Sequence, residues 1–300
     1  MTRLTILAVA FLLQSRDGVP GEHSSQINGN LAWHRRGEGF TASDEVDPLP
    51  VASAVRAYEA AFASAPNDHR TRFKLIEALY FQAWFAGADA VLQRSTWDRL
   101  IALTEEVIAQ AEPDGKAEPL AAQGYLAEAH FWGAVSWGLY GMSHSYLASA
   151  SKGVAGKIRH HAESLIELDP ELGDAGGLRL LGRLHTLTPK IPLVTGWISR
   201  KKGIEFLERA CAISTRDARN PYFLAEALLR FRPAERPRAL AMLREVSQRE
   251  PSPERIVEES EILADARAVL EHWEKKLGMT KSLDTAPATS KHAGLAGGAS

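Results

Sequence analysis

The feature that most constrains the fold is the helical spacing of apolar residues, which continues from residue 51 to residue 277. In residues 51–63, for example, Val55, Tyr58 and Phe62 recur every three or four positions and therefore lie on one face of a helix. Pro66 follows this stretch, and a proline ends a helix because it has no amide hydrogen to donate. Runs of β-branched residues that alternate with polar ones, which indicate strands, do not occur in the sequence. The pattern predicts an all-α fold.

Helices are expected wherever this spacing is maintained between turn-forming residues. Their predicted ranges are 51–63, 70–85, 96–111, 119–140, 155–168, 175–187, 200–213, 221–231, 236–250 and 255–276. Thr96 is expected to cap the helix that it opens, because a threonine hydroxyl accepts a hydrogen bond from an amide of the first turn.

The order of small, bulky and proline residues in these helices follows the tetratricopeptide repeat (TPR), in which helix pairs of about 34 residues stack into a solenoid. Small residues occur in that repeat where two helices approach closely, and bulky residues fill the space between pairs. One match comprises Ala54, Tyr58, Ala61 and Pro66, and a later one comprises Leu181, Gly182, Gly203, Leu207 and Ala210. Because the matches are irregularly spaced, we expect a TPR-like helical-hairpin solenoid with inserted loops.

Three segments resemble the periplasmic T component of tripartite ATP-independent periplasmic (TRAP) transporters, the TatT-like family. They are the aromatic and glycine-rich segment 131–138, the segment 167–174 running into 180–182, and the segment 203–210. The resemblance extends over residues 51–277 and implies an accessory protein that binds the substrate-binding component of a solute transporter and holds an apolar ligand. Members of the family usually carry a lipid on an N-terminal cysteine, whereas this chain has only Cys211, so membrane attachment stays open. A generic TPR adaptor that binds a peptide is the alternative function.

The two ends of the chain differ in composition from the repeat domain at 51–277. Arg3 precedes an apolar run at 4–13, so residues 1–25 have the proportions of an export signal and predict a periplasmic or secreted protein. Residues 26–50 are rich in glycine and proline and predict a flexible arm, on which Trp33 is the one candidate for docking. Residues 278–300 have no apolar periodicity and predict a disordered tail.

Four aromatic residues of the predicted helix 119–140 are candidates for the binding site: Phe131, Trp132, Trp137 and Tyr140. Glycines accompany them, and a glycine inside a helix costs about 1 kcal/mol relative to alanine. The glycines therefore indicate either close helix packing or a surface left open for a ligand. Aromatic residues at helical spacing also fill protein cores. Both interpretations, a core and a groove, stay open.

The loop 187–197 is a second candidate, because it is too rich in proline and apolar residues to lie entirely in water. Insertions between repeat helices cluster on one face of a solenoid, often the binding face. We therefore expect the loop either to cap the solenoid or to cover the concave face that a solenoid presents to a partner. Lys190, Trp197 and Arg200 are the candidate binding residues here, and the two cations could meet an anionic group.

The sequence contains no motif for catalysis, nucleotide binding or metal binding. His160 and His161 are adjacent, so on a helix they point about 100° apart and are poorly placed to share a metal ion. The formal net charge of −2 gives no general attraction for nucleic acid. We therefore predict a binding protein that is not an enzyme, has no cofactor or metal and has no nucleic-acid partner. Homo-oligomer formation stays open.

Overall fold

The computed structural model describes residues 24–40, 45–111 and 120–279, and every regular element within these ranges is helical. The α-helices are α1 (Ser24–His34), α2 (Pro48–Ser64), α3 (His69–Phe85), α4 (Ala90–Ala111), α5 (Leu120–Ser143), α6 (Tyr146–Ser151), α7 (Val154–Leu168), α8 (Leu172–Leu187), α9 (Arg200–Ile213), α10 (Arg219–Phe231), α11 (Arg236–Ser247) and α12 (Ile256–Lys276). Two short 3-10 turns, Pro233–Glu235 and Pro253–Arg255, precede α11 and α12. The predicted all-α class is confirmed. The predicted export signal lies outside the described residues except for Ser24 and Ser25, and the predicted tail lies outside them from residue 280 onward.

The helices are arranged in two layers. Consecutive helices pack against each other, and a second set of contacts joins α3 to α5, α5 to α8, α8 to α10 and α10 to α12. These five helices form the inner layer, whereas α2, α4, α7, α9 and α11 form the outer layer. Such alternation between layers is the arrangement of helical-hairpin repeats.

Glycines bring the two layers together where α8 packs on α9. A Cβ atom added at Gly182 would lie 3.1 Å from the carbonyl oxygen of Gly203 and 2.5 Å from Cγ of Leu207. A Cβ atom added at Gly203 would lie 3.1 Å from the carbonyl oxygen of Gly182. The backbones are therefore so close that a side chain at either position would force its neighbours to move, which is the role that the TPR pattern predicts for small residues at these positions.

The inner layer is enclosed rather than open. All residues from 173 to 186 of α8 and from 219 to 229 of α10 are buried. The C-terminal helix contributes to this enclosure because it returns to the N-terminal part of the chain, where Arg36 donates to Glu258 at 2.9 Å and Trp84 donates to Glu261 at 3.1 Å. The buried stretches of α8 and α10 therefore offer no open concave face to a partner.

Residues 24–40 differ from the predicted flexible arm, because α1 packs against α2 as an additional helix. Gln26, Gly29 and Trp33 are its buried residues, and they share one face. The approach at Gly29 is close, since a Cβ atom there would lie 2.5 Å from the ring of Tyr58. Only Trp33 of these three is a large apolar residue, so the sequence showed no amphipathic pattern in this segment.

Two predicted helix starts were also wrong, because an aspartate caps the helix earlier. The Asp47 carboxylate accepts from the amide of Leu49, so α2 begins at Pro48 rather than at residue 51. Asp89 accepts from the amides of residues 91 and 92, so α4 begins at Ala90. Thr96 lies inside α4, where its hydroxyl donates to the carbonyl of Leu92 instead of capping the helix.

Among the described residues, no helix combines the length and the apolar character that crossing a membrane requires.

Replacing Trp33 by alanine should lower the free energy of unfolding by about 3–5 kcal/mol, the typical cost of removing a buried tryptophan. Trp33 is only 8% exposed, packs edge-on against Phe81 at 5.6 Å and lies under the Arg36 guanidinium at 4.2 Å. The matched control is Leu31→Ala on the same helix, where the side chain is 61% exposed and the expected change is below about 0.5 kcal/mol. Urea unfolding of both variants measures the difference. Equal and small effects would show that α1 does not contribute to the core.

Candidate functional site

A pocket of about 460 Å³ lies where the inner and outer layers leave a gap. Its walls come from the C-terminal ends of α5 and α8 and from the N-terminal end of α7. The short helix α6 and the loop 188–199 lie on either side of it, and both segments are insertions in the alternation of the repeat helices. The pocket therefore lies where the chain departs from the repeat pattern.

The pocket is open because the residues around it are small. Ala134 and Gly138 of α5, Ala155 and Gly156 of α7, and Gly153 just before α7 contribute to the wall. A Cβ atom added at Gly156 would meet no atom within 4 Å. The small side chains at these positions of α5 and α7 leave a volume that larger residues would fill. This agrees with one of the two interpretations of the glycine-rich segment 131–138, a surface left open for a ligand.

The loop 188–199 holds a defined shape beside the pocket. The Thr195 hydroxyl donates to the carbonyl of Pro189 at 2.6 Å and accepts from the amide of Ile191 at 2.9 Å. These two bonds close the loop on itself, and Leu193 at its tip has a φ of 66°, which is unusual for a residue other than glycine. Pro189, Ile191 and Thr195 all line the pocket. The predicted binding loop is thus one wall of the site.

His185 of α8 connects this loop to the body of the protein. Its Nδ1 accepts from the amide of Ser199 at 3.0 Å, and its carbonyl accepts from the Arg200 guanidinium. The Trp197 ring packs edge-on against the His185 ring at 5.4 Å. Desolvation lowers the pKa of His185, so its Nδ1 stays available as an acceptor. Trp197 and Arg200, which the sequence suggested as ligand contacts, are placed to anchor the loop, while Lys190 is exposed on it.

Large apolar side chains are exposed at the edges of the pocket. Tyr146 and Leu147 protrude from α6, and Ile191, Leu193 and Val194 protrude from the loop on the other side. Tyr146, Ile191 and Val194 also line the pocket itself. Apolar residues that cluster at the edge of a cavity, rather than singly over a surface, mark an interaction site.

Arg183 forms the charged part of the pocket wall. This residue is buried, its guanidinium lies 4.0 Å from the centre of the Phe223 ring, and it donates to the Glu226 carboxylate of α10. Arg230 also contacts Glu226, at 3.3 Å. The charge of Arg183 is therefore neutralised by Glu226, which belongs to the inner layer. The pocket wall thus contains a buried cation that is paired within the protein.

The four predicted aromatic residues are divided between the core and the surroundings of the pocket. Phe131 and Trp132 have no exposed surface; the Phe131 ring lies against the backbone of Gly176, and Trp132 packs near Tyr80 at 5.9 Å. None of the four lines the pocket.

The other two aromatic residues lie nearer to the pocket. Trp137 donates to Glu105 of α4, and the Lys157 ammonium lies 3.7 Å from its ring centre. Tyr140 stacks on His144, with ring centres 3.8 Å apart, and His144 lines the pocket. Tyr140 therefore supports the pocket wall from behind.

A cluster of three histidines lies next to the pocket, between the same two helices. His130 of α5 approaches His160 and His161 of α7, and ring nitrogens of all three lie within 4.8 Å of one another. The Nδ1 atoms of His130 and His161 are 3.0 Å apart. A third histidine from the neighbouring helix joins the adjacent pair of α7. Sequence reasoning missed it because this contact depends on how α5 and α7 pack.

The electrostatics of the cluster follow from its burial. Desolvation, with smaller contributions from His161 and His160, lowers the pKa of His130 to about 4, so this imidazole is neutral at pH 7. The close approach of the His161 ring lowers the pKa of Glu105 to about 2, and Trp137 donates to the same carboxylate. Glu105 is therefore a fixed negative charge beside the cluster.

The fold defines the class: the chain is an all-α protein of TPR-like helical hairpins, as the layer order and the Gly182–Gly203 contact require. No protein-family model matches the chain, and no curated protein sequence matches it. Among solved structures, the chain is similar to one described as the crystal structure of the yeast Tom70, with 13% sequence identity. That alignment covers 92% of this chain and 71% of the other, with a TM-score of 0.27. A likeness at this level says nothing about function.

Replacing Glu226 by alanine should destabilise the protein by about 3–5 kcal/mol, because it removes the carboxylate that neutralises the buried Arg183. The control is Glu208→Ala, which breaks the half-exposed pair with Arg238 at 3.3 Å and should cost less than about 1 kcal/mol. Chemical unfolding of both variants provides the comparison. Similar small losses would mean that water, rather than Glu226, compensates the Arg183 charge.

Proposed function

We propose that this chain is a TPR-like binding protein, without enzymatic activity, that takes an apolar group of a protein partner into the pocket between α5, α7 and α8. One observation carries the proposal: the two insertions in the repeat, α6 and the loop 188–199, lie beside one and the same pocket. Insertions in repeat proteins commonly form the binding face. Because α8 and α10 are enclosed, this pocket takes the place of an open concave surface.

The chemistry of the wall favours an apolar guest. Small and aliphatic residues make up most of it, and three of its polar side chains have partners within the protein. Arg183 is paired with Glu226, the Thr195 hydroxyl is engaged within its loop, and His144 Nδ1 donates to the carbonyl of Tyr140 at 2.9 Å. A catalytic site requires an acid, base or nucleophile directed at the substrate, and these groups are directed elsewhere. Binding without chemistry is therefore the function that this wall supports best.

The exposed apolar residues beside the pocket favour a macromolecular partner. Leu147 of α6 and Leu193 of the loop are largely exposed. Contact of such apolar side chains with water is unfavourable, so binding of a partner surface that covers them is favourable. A partner protein could insert a side chain into the pocket and cover the two leucines together.

A free apolar ligand is the second candidate, and the volume of the pocket is the observation that favours it. Sites for small molecules usually measure about 300–1,000 Å³, and about 460 Å³ lies within this range. Native mass spectrometry of the purified chain separates the two cases, because a free ligand that is held tightly stays bound through purification and adds a defined mass.

We further propose, from the sequence resemblance alone, that the partner is the periplasmic substrate-binding component of a TRAP-type transporter. Part of the resembling segment 131–138 lies in the pocket wall, since Ala134 and Gly138 line it. The segment 203–210 includes Gly203 at the α8–α9 contact. The resembling segments therefore include Gly203, which allows the close packing of α8 on α9, and two residues that line the proposed site, Ala134 and Gly138.

Filling the pocket should weaken the binding of an apolar probe without destabilising the fold. Gly156→Leu places a side chain in the space that this glycine lines, and leucine is the better helix former by about 0.5–1 kcal/mol. We expect the affinity for 8-anilino-1-naphthalenesulfonate, followed by fluorescence, to fall about tenfold, which corresponds to a loss of about 1.4 kcal/mol.

The matched control for this substitution is Gly124→Leu, at an exposed glycine of α5 where an added Cβ atom also meets nothing within 4 Å. The control should bind the probe like the wild-type protein. Equal probe binding by all three proteins would show that the probe does not enter this pocket and would remove the basis for the proposed site.

We also propose that the protein acts outside the cytoplasm, and residues 1–25 provide the test. Fused to a reporter that is active only after export, this segment should yield activity because its charge and apolar run have signal proportions. The control carries Leu7→Arg and Leu12→Arg, which interrupt the apolar run and should retain the reporter inside the cell. Activity that is equally low for both fusions would contradict the proposed localisation.

A further inference from the structure

The histidine cluster next to the pocket has the composition of a transition-metal site. His130 comes from α5, whereas His160 and His161 come from the middle of α7, so the three ligands belong to two helices of different layers. The ring centres of His130 lie 5.7 Å from His160 and 5.3 Å from His161. His130 and His161 are buried, and His160 is exposed.

We propose that His130, His160 and His161 together bind one Zn²⁺ ion. Zinc takes imidazole nitrogens at about 2.0–2.1 Å, which separates two ligand atoms of a tetrahedral site by about 3.3 Å. The Nδ1 atoms of His130 and His161 are 3.0 Å apart, close to this value. His160 lies on the surface, where a change of rotamer can bring its nitrogen from within 4.8 Å to ligand distance. A water molecule on this exposed side would complete the tetrahedron.

The surroundings of His161 orient it as a ligand. Its Nε2 lies 3.6 Å from the Glu105 carboxylate of α4, and Trp137 donates to the same carboxylate oxygen at 3.2 Å. A carboxylate behind a histidine holds the proton on the far nitrogen and leaves the near nitrogen free to bind metal. The near nitrogen here is Nδ1, the atom that faces His130. Glu105 is thus a positioning residue for the proposed site.

Gly133 provides the space for this arrangement. A Cβ atom at this position would lie 3.0 Å from Nδ1 and Cε1 of the His161 ring, so a larger residue would push the ring away from α5. A ligand set made of nitrogen alone selects zinc and similar transition metals over magnesium and calcium, which prefer oxygen. In the absence of metal, the short distance between the two Nδ1 atoms is explained by a hydrogen bond between His130 and His161. Titration with metal distinguishes this hydrogen bond from a metal site.

The test is a titration of the full-length, untagged chain with Zn²⁺ by isothermal calorimetry, together with Co²⁺ absorption spectra that report tetrahedral nitrogen ligation. The wild-type protein should bind one ion per chain, and its unfolding temperature should rise with added Zn²⁺. His160→Ala removes an exposed ligand and should abolish both effects while the metal-free protein remains folded. Glu105→Gln should weaken Zn²⁺ binding about 10- to 100-fold.

The matched control is His272→Ala, which removes an equally exposed histidine from α12 and should bind Zn²⁺ like the wild-type protein. The proposal is overturned if the wild-type chain binds no stoichiometric ion. It is equally overturned if His160→Ala binds as tightly as the wild-type chain, or if His272→Ala weakens binding as much as His160→Ala does.

Discussion

The burial of α8 from residue 173 to residue 186 and of α10 from residue 219 to residue 229 is the constraint on which the other features of the structure depend. Charged groups within these buried stretches have little access to water, so they find their partners inside the protein. Arg179, which is fully buried, donates to the carbonyls of residues 173 and 174 and to Asn220, and it lies 3.2 Å from Asp217. The three residues 173–175 have positive φ angles of 64°, 54° and 63°. Arg179 and Asn220 donate hydrogen bonds to the carbonyls of this left-handed turn. These bonds offset the free-energy cost of the strained backbone at the start of α8.

Because the inner layer is buried, the binding surface that we propose lies where the repeat is interrupted. In an open solenoid the inner helices carry the recognition residues, whereas here the equivalent side chains, such as Phe131 and Trp132, pack within the core. The insertions are free of this packing requirement, because they lie at the ends of the helices. Their exposed apolar residues and the small residues of α5 and α7 beneath them form the site that we propose, because the geometry, the residue types and the loop structure agree there.

The contact between α5 and α7 supports both proposals, although they can be tested separately. Ala134 and Ile158 line the pocket, and His130 and His161 lie about one helical turn away on the same two helices. An ion bound at the histidines would fix the separation of α5 and α7, which also sets the width of the pocket. The pocket requires no metal for its shape, and the histidines require no ligand in the pocket for theirs. Loss of one function would leave the other proposal standing.

The sequence alone determined the helical class, most helix ranges and the close α8–α9 approach, because apolar periodicity and glycine placement are local signals. It also predicted that the loop 187–197 caps the solenoid or covers a binding face, and this stays a prediction. It could not reveal α1, since the buried face of that helix is made of Gln26, Gly29 and Trp33, and burial of a glycine and a glutamine leaves no apolar pattern. The roles of Trp197 and Arg200 depended on His185, and the histidine cluster depended on the approach of α5 to α7. A pocket is an unfilled volume between helices, and only their tertiary packing decides where volume is left unfilled.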